Sequence, residues 1–136
     1  MNPGGISMER TLPIDGALLG DVLLRLRRDC PASSLRWTLG DRGAAEVEVG
    51  FTSDGPIWTS TARLWNYAGF AMTTATVRLV ATAPDAVHLT LVPTHGSRPV
   101  SDEETRSMAD LGRAAVDELA EELLWHATRA GLTARG

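Results

Sequence analysis

Between Ser101 and Gly131 the chain reads SDEETRSMADLGRAAVDELAEELLWHATRAG, and no other stretch limits the fold so strongly. The spacing predicts one helix of about eight turns at 3.6 residues per turn. Ser101 and Glu104 stand at capping-box spacing, where each side chain satisfies an orphan N–H at the helix start. Asp102, Glu103 and Glu104 lie at the positive end of the helix dipole and Arg129 at the negative end. Gly131 is placed to leave the helix in left-handed geometry. Met108, Leu111, Ala115, Leu119, Leu123 and His126 recur at i+3/i+4 as one stripe, with Val116 and Ala127 beside it. Asp110, Arg113, Asp117, Glu121 and Glu122 take the other face. A helix this long, apolar along one side only, must lie across something.

The preceding chain supplies a sheet. After a Pro/Gly-rich start at residues 1–5, Ile6 to Leu12 alternates and predicts a first strand, which Pro13 ends. Asp15 is an N-cap for a helix running to about Arg28, with Leu18, Leu19, Val22, Leu23 and Leu26 on its apolar side. Pro31 stops that helix and opens a loop to Ser34. From there the period changes to two. Leu35, Trp37 and Leu39 alternate with polar residues, Gly40 to Gly43 turns, and Ala45, Val47, Val49 and Phe51 alternate with Glu46 and Glu48. A turn at Ser53 to Pro56, a strand at Ile57 to Trp65 with two mixed faces, and a turn at Asn66 to Gly69 follow. Phe70 to Thr82 is a long strand rich in threonine and valine. Another turn leads to Val87, Leu89 and Leu91 alternating with His88 and Thr90, and Thr94 to Val100 leads to the long helix. Such short turns dictate antiparallel neighbours. The expected fold is α+β: a single domain in which a curved antiparallel sheet of about six strands wraps around a long C-terminal helix.

This layout resembles the helix-grip fold of the START-like, or SRPBCC, superfamily. The residues that carry the resemblance are ISMERTLPIDGALLGDVLLRL at one end, and AVHLTLVP followed by SDEETRSMADLGRAAVDELAEELL at the other. The chain departs from that family in leaving little room, at Pro31 to Ser34, for a second short helix after the first. The resemblance implies a cavity between sheet and long helix holding an apolar small molecule. In that family some members cyclise or dehydrate polyketides, some carry lipids, and some act as protein-interaction modules; fold alone does not choose among them.

Composition removes several classes. No apolar run reaches the roughly 20 residues that span a bilayer, so no membrane insertion is expected. MNPGGISMER has neither a basic region nor an apolar core of the secretory kind. Cys30, the single cysteine, excludes an internal disulfide and a thiolate zinc cluster. These features favour the cytoplasm. Net charge is −4, and every one of the 13 basic residues is arginine, a usage expected of a GC-rich bacterial genome. No basic block draws phosphate backbones, so no nucleic-acid partner is expected.

The candidate site residues are Trp58, Arg63, Trp65, Thr76, Arg78, Met108, Leu111, Leu119 and His126. If Arg63 and Arg78 face the concavity, guanidinium neutralises an acidic or enolate oxygen, while Trp65 stacks on a flat ligand. The competing arrangement puts both arginines in solvent, with Val77, Leu79 and Ala81 inside. His126 lies on the helix stripe beside Trp125, either as an acid/base at a cavity mouth or as a satisfied core histidine. His88 falls on the outer phase of its strand, and His95 in the loop leading to the helix. These three histidines lack metal-ligand spacing, so no metal is expected, and no cofactor either. Trp37 reads as core, and Cys30 as a small buried hydrophobe.

The leading expectation is a protein that binds a small hydrophobic molecule between sheet and helix. The alternatives are a cofactor-free cyclase or dehydratase, with Arg63 or Arg78 stabilising an oxyanion and His126 as acid/base, and a ligand-free interaction module or homodimer presenting Trp58 and Trp65.

Overall fold

The computed structural model describes residues 8–67, 71–96 and 102–130. The cap residues Ser101 and Gly131, the side chain of His95 and most of the expected connection from Thr94 to Val100 lie outside the described residues. Seven strands form one antiparallel sheet: β1 (Met8–Leu12), β2 (Ser34–Thr38), β3 (Gly43–Glu48), β4 (Thr52–Asp54), β5 (Ile57–Asn66), β6 (Ala71–Ala83) and β7 (Ala86–Gly96). Their spatial order is β1-β7-β6-β5-β3-β2, with β4 adding to β5 beyond the end of β3. A 3-10 turn (Gly16–Leu18) leads into α1 (Leu19–Asp29), and α2 (Asp102–Ala130) comes after β7. This is the expected α+β, helix-grip layout, with one short extra strand.

Local chemistry explains the breaks. Asp15 caps the 3-10 turn by accepting from the Ala17 amide at 2.9 Å, as its N-cap position predicts. The β2–β3 hairpin closes through Leu39 N–H donating to Gly43 at 2.9 Å, which sets Thr38 opposite Ala44 and Arg36 opposite Glu46. β3 leaves β5 after Val47 meets Ala62, and pairing resumes where Thr52 of β4 meets Thr59. Across that gap the Ser60 hydroxyl donates to the Glu48 carbonyl at 2.6 Å, and Val49 N–H donates to Ser33 at 3.0 Å. Register shifts between β6 and β7, at Thr74/Ala75 and Ala81/Ala83, add local twist to a sheet that curls.

The period of two sorts each strand into an inner and an outer face. Leu64, Val77, Leu79, Val87 and Leu89 point inward and are fully buried, and so are Leu12 at one edge and Leu111, Leu119 and Leu123 from α2. Along α1, Leu19, Val22, Leu23 and Leu26 close the core on a second side. The buried side of α2 also carries Ala109, Ala115, Ala120 and Ala127. Gly112 sits there too, where a Cβ would fall inside the Met8 sulfur and 3.1 Å from Met8 Cγ. Small residues let α2 lie close against the sheet. Arg10 shares the phase of Met8 and Leu12 yet escapes to the rim, where Nη1 meets Asp117 at 3.3 Å.

Candidate functional site

The expected ligand space lies between the sheet and α2, and at the middle of the sheet it is nearly filled. Val47, Ala62, Val77, Leu89, Leu91, Ala115, Val116 and Leu119 leave about 10 Å³ between them, about the room one water needs. Among the described residues, no buried side-chain nitrogen or oxygen lacks a hydrogen-bond partner. That part of the interior has neither the volume nor the unpaired polar group that a ligand site needs.

The outer face of the sheet differs, because no described element covers it. Its residues fall into cross-strand rows. Thr38, Ala44, Trp65 and Met72 form one row, and Arg36, Glu46, Arg63 and Thr74 form the next. Ala44 is small, and its two larger neighbours stand on either side of it. The result is a groove of about 290 Å³ lined by Arg36, Trp37, Thr38, Ala44, Ala45 and Trp65. By strand phase Trp37 and Ala45 turn inward, so they contribute its floor, while Trp65, Thr38 and Arg36 stand up as its walls. Arg36 is the only ionisable residue of the six.

Behind the groove two arginines share one carboxylate. Arg36 Nε donates to Glu46 Oε2 at 2.6 Å, and Arg63 Nη1 donates to Oε1 at 2.9 Å. Glu46 is 8% exposed although it faces outward. Its cover consists of its partners' side chains, not the core, so solvent lies close by. The Arg36 guanidinium hydrogen-bonded to it holds its carboxyl below the ordinary value; partial loss of hydration opposes this, and Arg63 adds to the lowering. Two cations on one anion leave a net positive charge at the open end of Arg36, whose side chain is 75% exposed.

No protein-family model, curated protein or solved structure matches the chain. The site therefore rests on its own geometry.

The nine residues singled out in the sequence do not line one space. Arg63, Trp65, Thr76 and Arg78 take the outer phase of β5 and β6, opposite to Ala62, Leu64, Ala75, Val77 and Leu79, which are buried. They cannot share a cavity with Leu111 and Leu119, which pack in the core, or with Met108, which is partly buried against it. Trp58 is on the inner phase, half-buried, with its ring 3.3 Å from where a Cβ on Gly20 of α1 would stand. His126 is buried between the helices, with Nδ1 3.4 Å from Asp29 and Nε2 3.8 Å from Glu122. The pairing of His126 with Arg63 or Arg78 as acid/base and oxyanion clamp therefore fails on placement. Only Trp65 belongs to the groove.

His88 lies on the outer face as its phase predicts, 3.2 Å from Glu9 and 3.3 Å from Thr11. Trp37 is packed against the core and half-buried, and the Cys30 thiol donates to the Ser34 carbonyl at 3.5 Å. Among the described residues no cluster of His, Cys, Asp or Glu could hold a metal ion, and no helix is long and apolar enough to cross a membrane.

Sequence reasoning passes over Arg36, Thr38, Ala44 and Glu46. One signal for them is present. The turn Gly40 to Gly43 fixes the hairpin register, and that register places Arg36 opposite Glu46.

Proposed function

We propose that this chain is a START-like, helix-grip binding protein for a small, largely aromatic molecule, working in the cytoplasm without a cofactor. We place the ligand in the outer groove beside Trp65, not between sheet and helix. The observation that carries this reading is an open groove walled by an indole and a guanidinium: about 290 Å³ across β2, β3 and β5 beside Trp65 and Arg36, against about 10 Å³ where Ala115, Val116 and Leu119 meet the sheet. A volume of that order is at the small end for ligand pockets, roughly 300–1,000 Å³, so the ligand has one or two rings. The lone half-buried thiol suits a reducing compartment.

Native mass spectrometry on gently purified protein, with a denatured control, tests it. A small mass lost on denaturation, and present at reduced occupancy in Trp65→Leu, supports the groove. Undiminished occupancy in Trp65→Leu sinks it.

A second reading has its own observation. Met72 and Val92 on the outer face are 42% and 45% exposed, and Tyr67 at the end of β5 is 46% exposed. An uncovered sheet face with such residues suits contact with a second copy of the chain. Sedimentation velocity decides: a concentration-dependent dimer abolished by Met72→Glu supports a homodimer, and a monomer at all concentrations removes it.

A further inference from the structure

Resting on that groove reading, we infer that the ligand is a planar aromatic monocarboxylate whose carboxylate is taken by Arg36. Three features of the site converge on this class.

The first is the guanidinium's spare capacity. Arginine carries five N–H donors in a rigid fork, and Arg36 is held to Glu46 through Nε alone. Its two terminal nitrogens remain for a second acceptor. A carboxylate matches their spacing by bidentate pairing, which a neutral amide or a hydroxyl cannot reproduce. Because Arg63 holds the other oxygen of Glu46 at 2.9 Å, Glu46 keeps a cationic partner even when Arg36 leans toward a ligand. The second arginine makes the first available.

The second feature is charge. Among the described residues that line the groove, Arg36 is the only ionisable one. Glu48, the next outward carboxylate on β3, stands opposite Ser34, one outward row beyond Arg36 and on the side away from Thr38 and Ala44. One anionic group is matched and a second has no partner, so a monocarboxylate fits and a dicarboxylate does not.

The third is shape. Ala44 lies between Trp65 on β5 and Thr38 on β2 in one cross-strand row. A flat ring laid over Ala44 has an indole on one side and a hydroxyl on the other. Met72, paired with Trp65 on the far side, extends the apolar wall. Rings packed against indole prefer offset or edge-on geometry and gain beyond simple area burial.

The test compares 2-naphthoate with its neutral isostere 2-naphthamide by isothermal titration calorimetry, which reads binding without depending on tryptophan emission. The unaltered protein is expected to prefer the carboxylate by roughly tenfold or more, the scale of one hydrogen bond to a charged group. Arg36→Gln brings the two probes to within about twofold by weakening only the carboxylate. Trp65→Leu weakens both by about tenfold, the loss expected for one aromatic stack. Arg78→Gln, an outer-face arginine outside the groove, leaves both unchanged; a matching loss there shows general charge attraction and overturns the role of Arg36. Far-ultraviolet circular dichroism confirms that each variant is folded.

Equal affinity for the two probes in the unaltered protein overturns the carboxylate inference and leaves the groove standing. No heat from either probe at millimolar concentration, or binding of both that Trp65→Leu does not weaken, overturns the groove itself and the inference with it.

Discussion

Gly112→Ala sets two physical effects against each other. Glycine inside a helix costs about 1 kcal/mol relative to alanine, so propensity alone predicts stabilisation. The new methyl, however, would fall inside the Met8 sulfur and within 3.1 and 3.2 Å of Met8 Cγ and Cε. Ordinary carbon contacts lie at about 3.5–4.0 Å, so the middle of the Met8 side chain must move, not merely its tip. Met8 is 2% exposed and has packed neighbours to displace, a situation that typically costs about 1–3 kcal/mol. The expected net result is a loss of roughly 1 kcal/mol. Met8→Ala alone opens a cavity and costs about 2–5 kcal/mol. In that background the methyl added at position 112 enters vacated space, the clash is gone, and Gly112→Ala becomes stabilising by about 1 kcal/mol. The assay is urea denaturation of all four proteins followed by tryptophan emission, compared at a common slope. A gain of stability from Gly112→Ala with Met8 intact refutes the close-approach argument, and so does the same sign in both backgrounds.

Three further outcomes follow from particular contacts. Gly43→Ala drives a Cβ onto the Trp65 carbonyl oxygen of the neighbouring strand, with Leu111 Cδ1 only 3.3 Å away; backbone has to shift, so thermal melts are expected to show a loss above about 3 kcal/mol, while Gly50→Ala, with nothing within 4 Å, stays within about 0.5 kcal/mol. Glu46→Gln leaves two guanidinium groups without their shared anion and costs about 1 kcal/mol at neutral pH, a figure kept small because the pair lies near solvent. Since the folded-state carboxyl is held below its ordinary value, the stability it contributes is present above about pH 4.3, the ordinary glutamate value, and is lost as pH falls through the depressed value. The stability difference between the two proteins therefore shrinks on acidification, and a difference that grows contradicts the assignment. Asn66→Ala removes a side chain that accepts from Ser107 at 2.9 Å and donates to the Glu104 carbonyl at 3.4 Å; hydrogen exchange in the first turns of α2 should speed up well before the rest of the sheet responds.

Most of the architecture can be read from the sequence, because periodicity and burial agree along nearly every element. The stripe from Leu111 to Ala127 is buried as spaced, and the alternation of Ala45 and Val47 with Glu46 and Glu48 gives the true inner face of β3. β5 is the ambiguous element. Ile57 and Trp65 share a phase with Arg63, while Trp58, Ala62 and Leu64 share the other, so hydrophobicity alone does not tell which phase is inside. Pairing does: Ala62 and Leu64 are matched by Val47, Ala45, Ala75 and Thr73, all on the buried side. Periodicity within one strand cannot supply what only its neighbours decide. The extra strand β4 reads as part of a turn in the sequence because its three residues, all exposed, carry no apolar alternation.

Where free space lies follows from the same residues that make the fold legible. A stripe of Leu111, Ala115, Leu119, Leu123 and Ala127 predicts a helix against a sheet whatever the distance between them, since amphipathic spacing carries no information about depth. Depth is set by side-chain size at the contact. With alanine at 109, 115, 120 and 127, and glycine at 112 pressed on Met8, α2 sits close to the sheet, and where Ala115, Val116 and Leu119 meet the strands the space shrinks to about 10 Å³. On the other face small size has the opposite effect. A single alanine between tryptophan and threonine leaves a depression because no described helix descends to fill it. Small residues under a helix draw it down and close a space, whereas a small residue on an uncovered sheet opens one. If that reasoning holds, Ala44→Leu should abolish binding in the groove with little loss of stability, because Ala44 is half-exposed and its added bulk meets only the ligand's place. Calorimetry with 2-naphthoate on a variant whose melting temperature is unchanged would show it, and undiminished binding would mean that the ligand lies elsewhere.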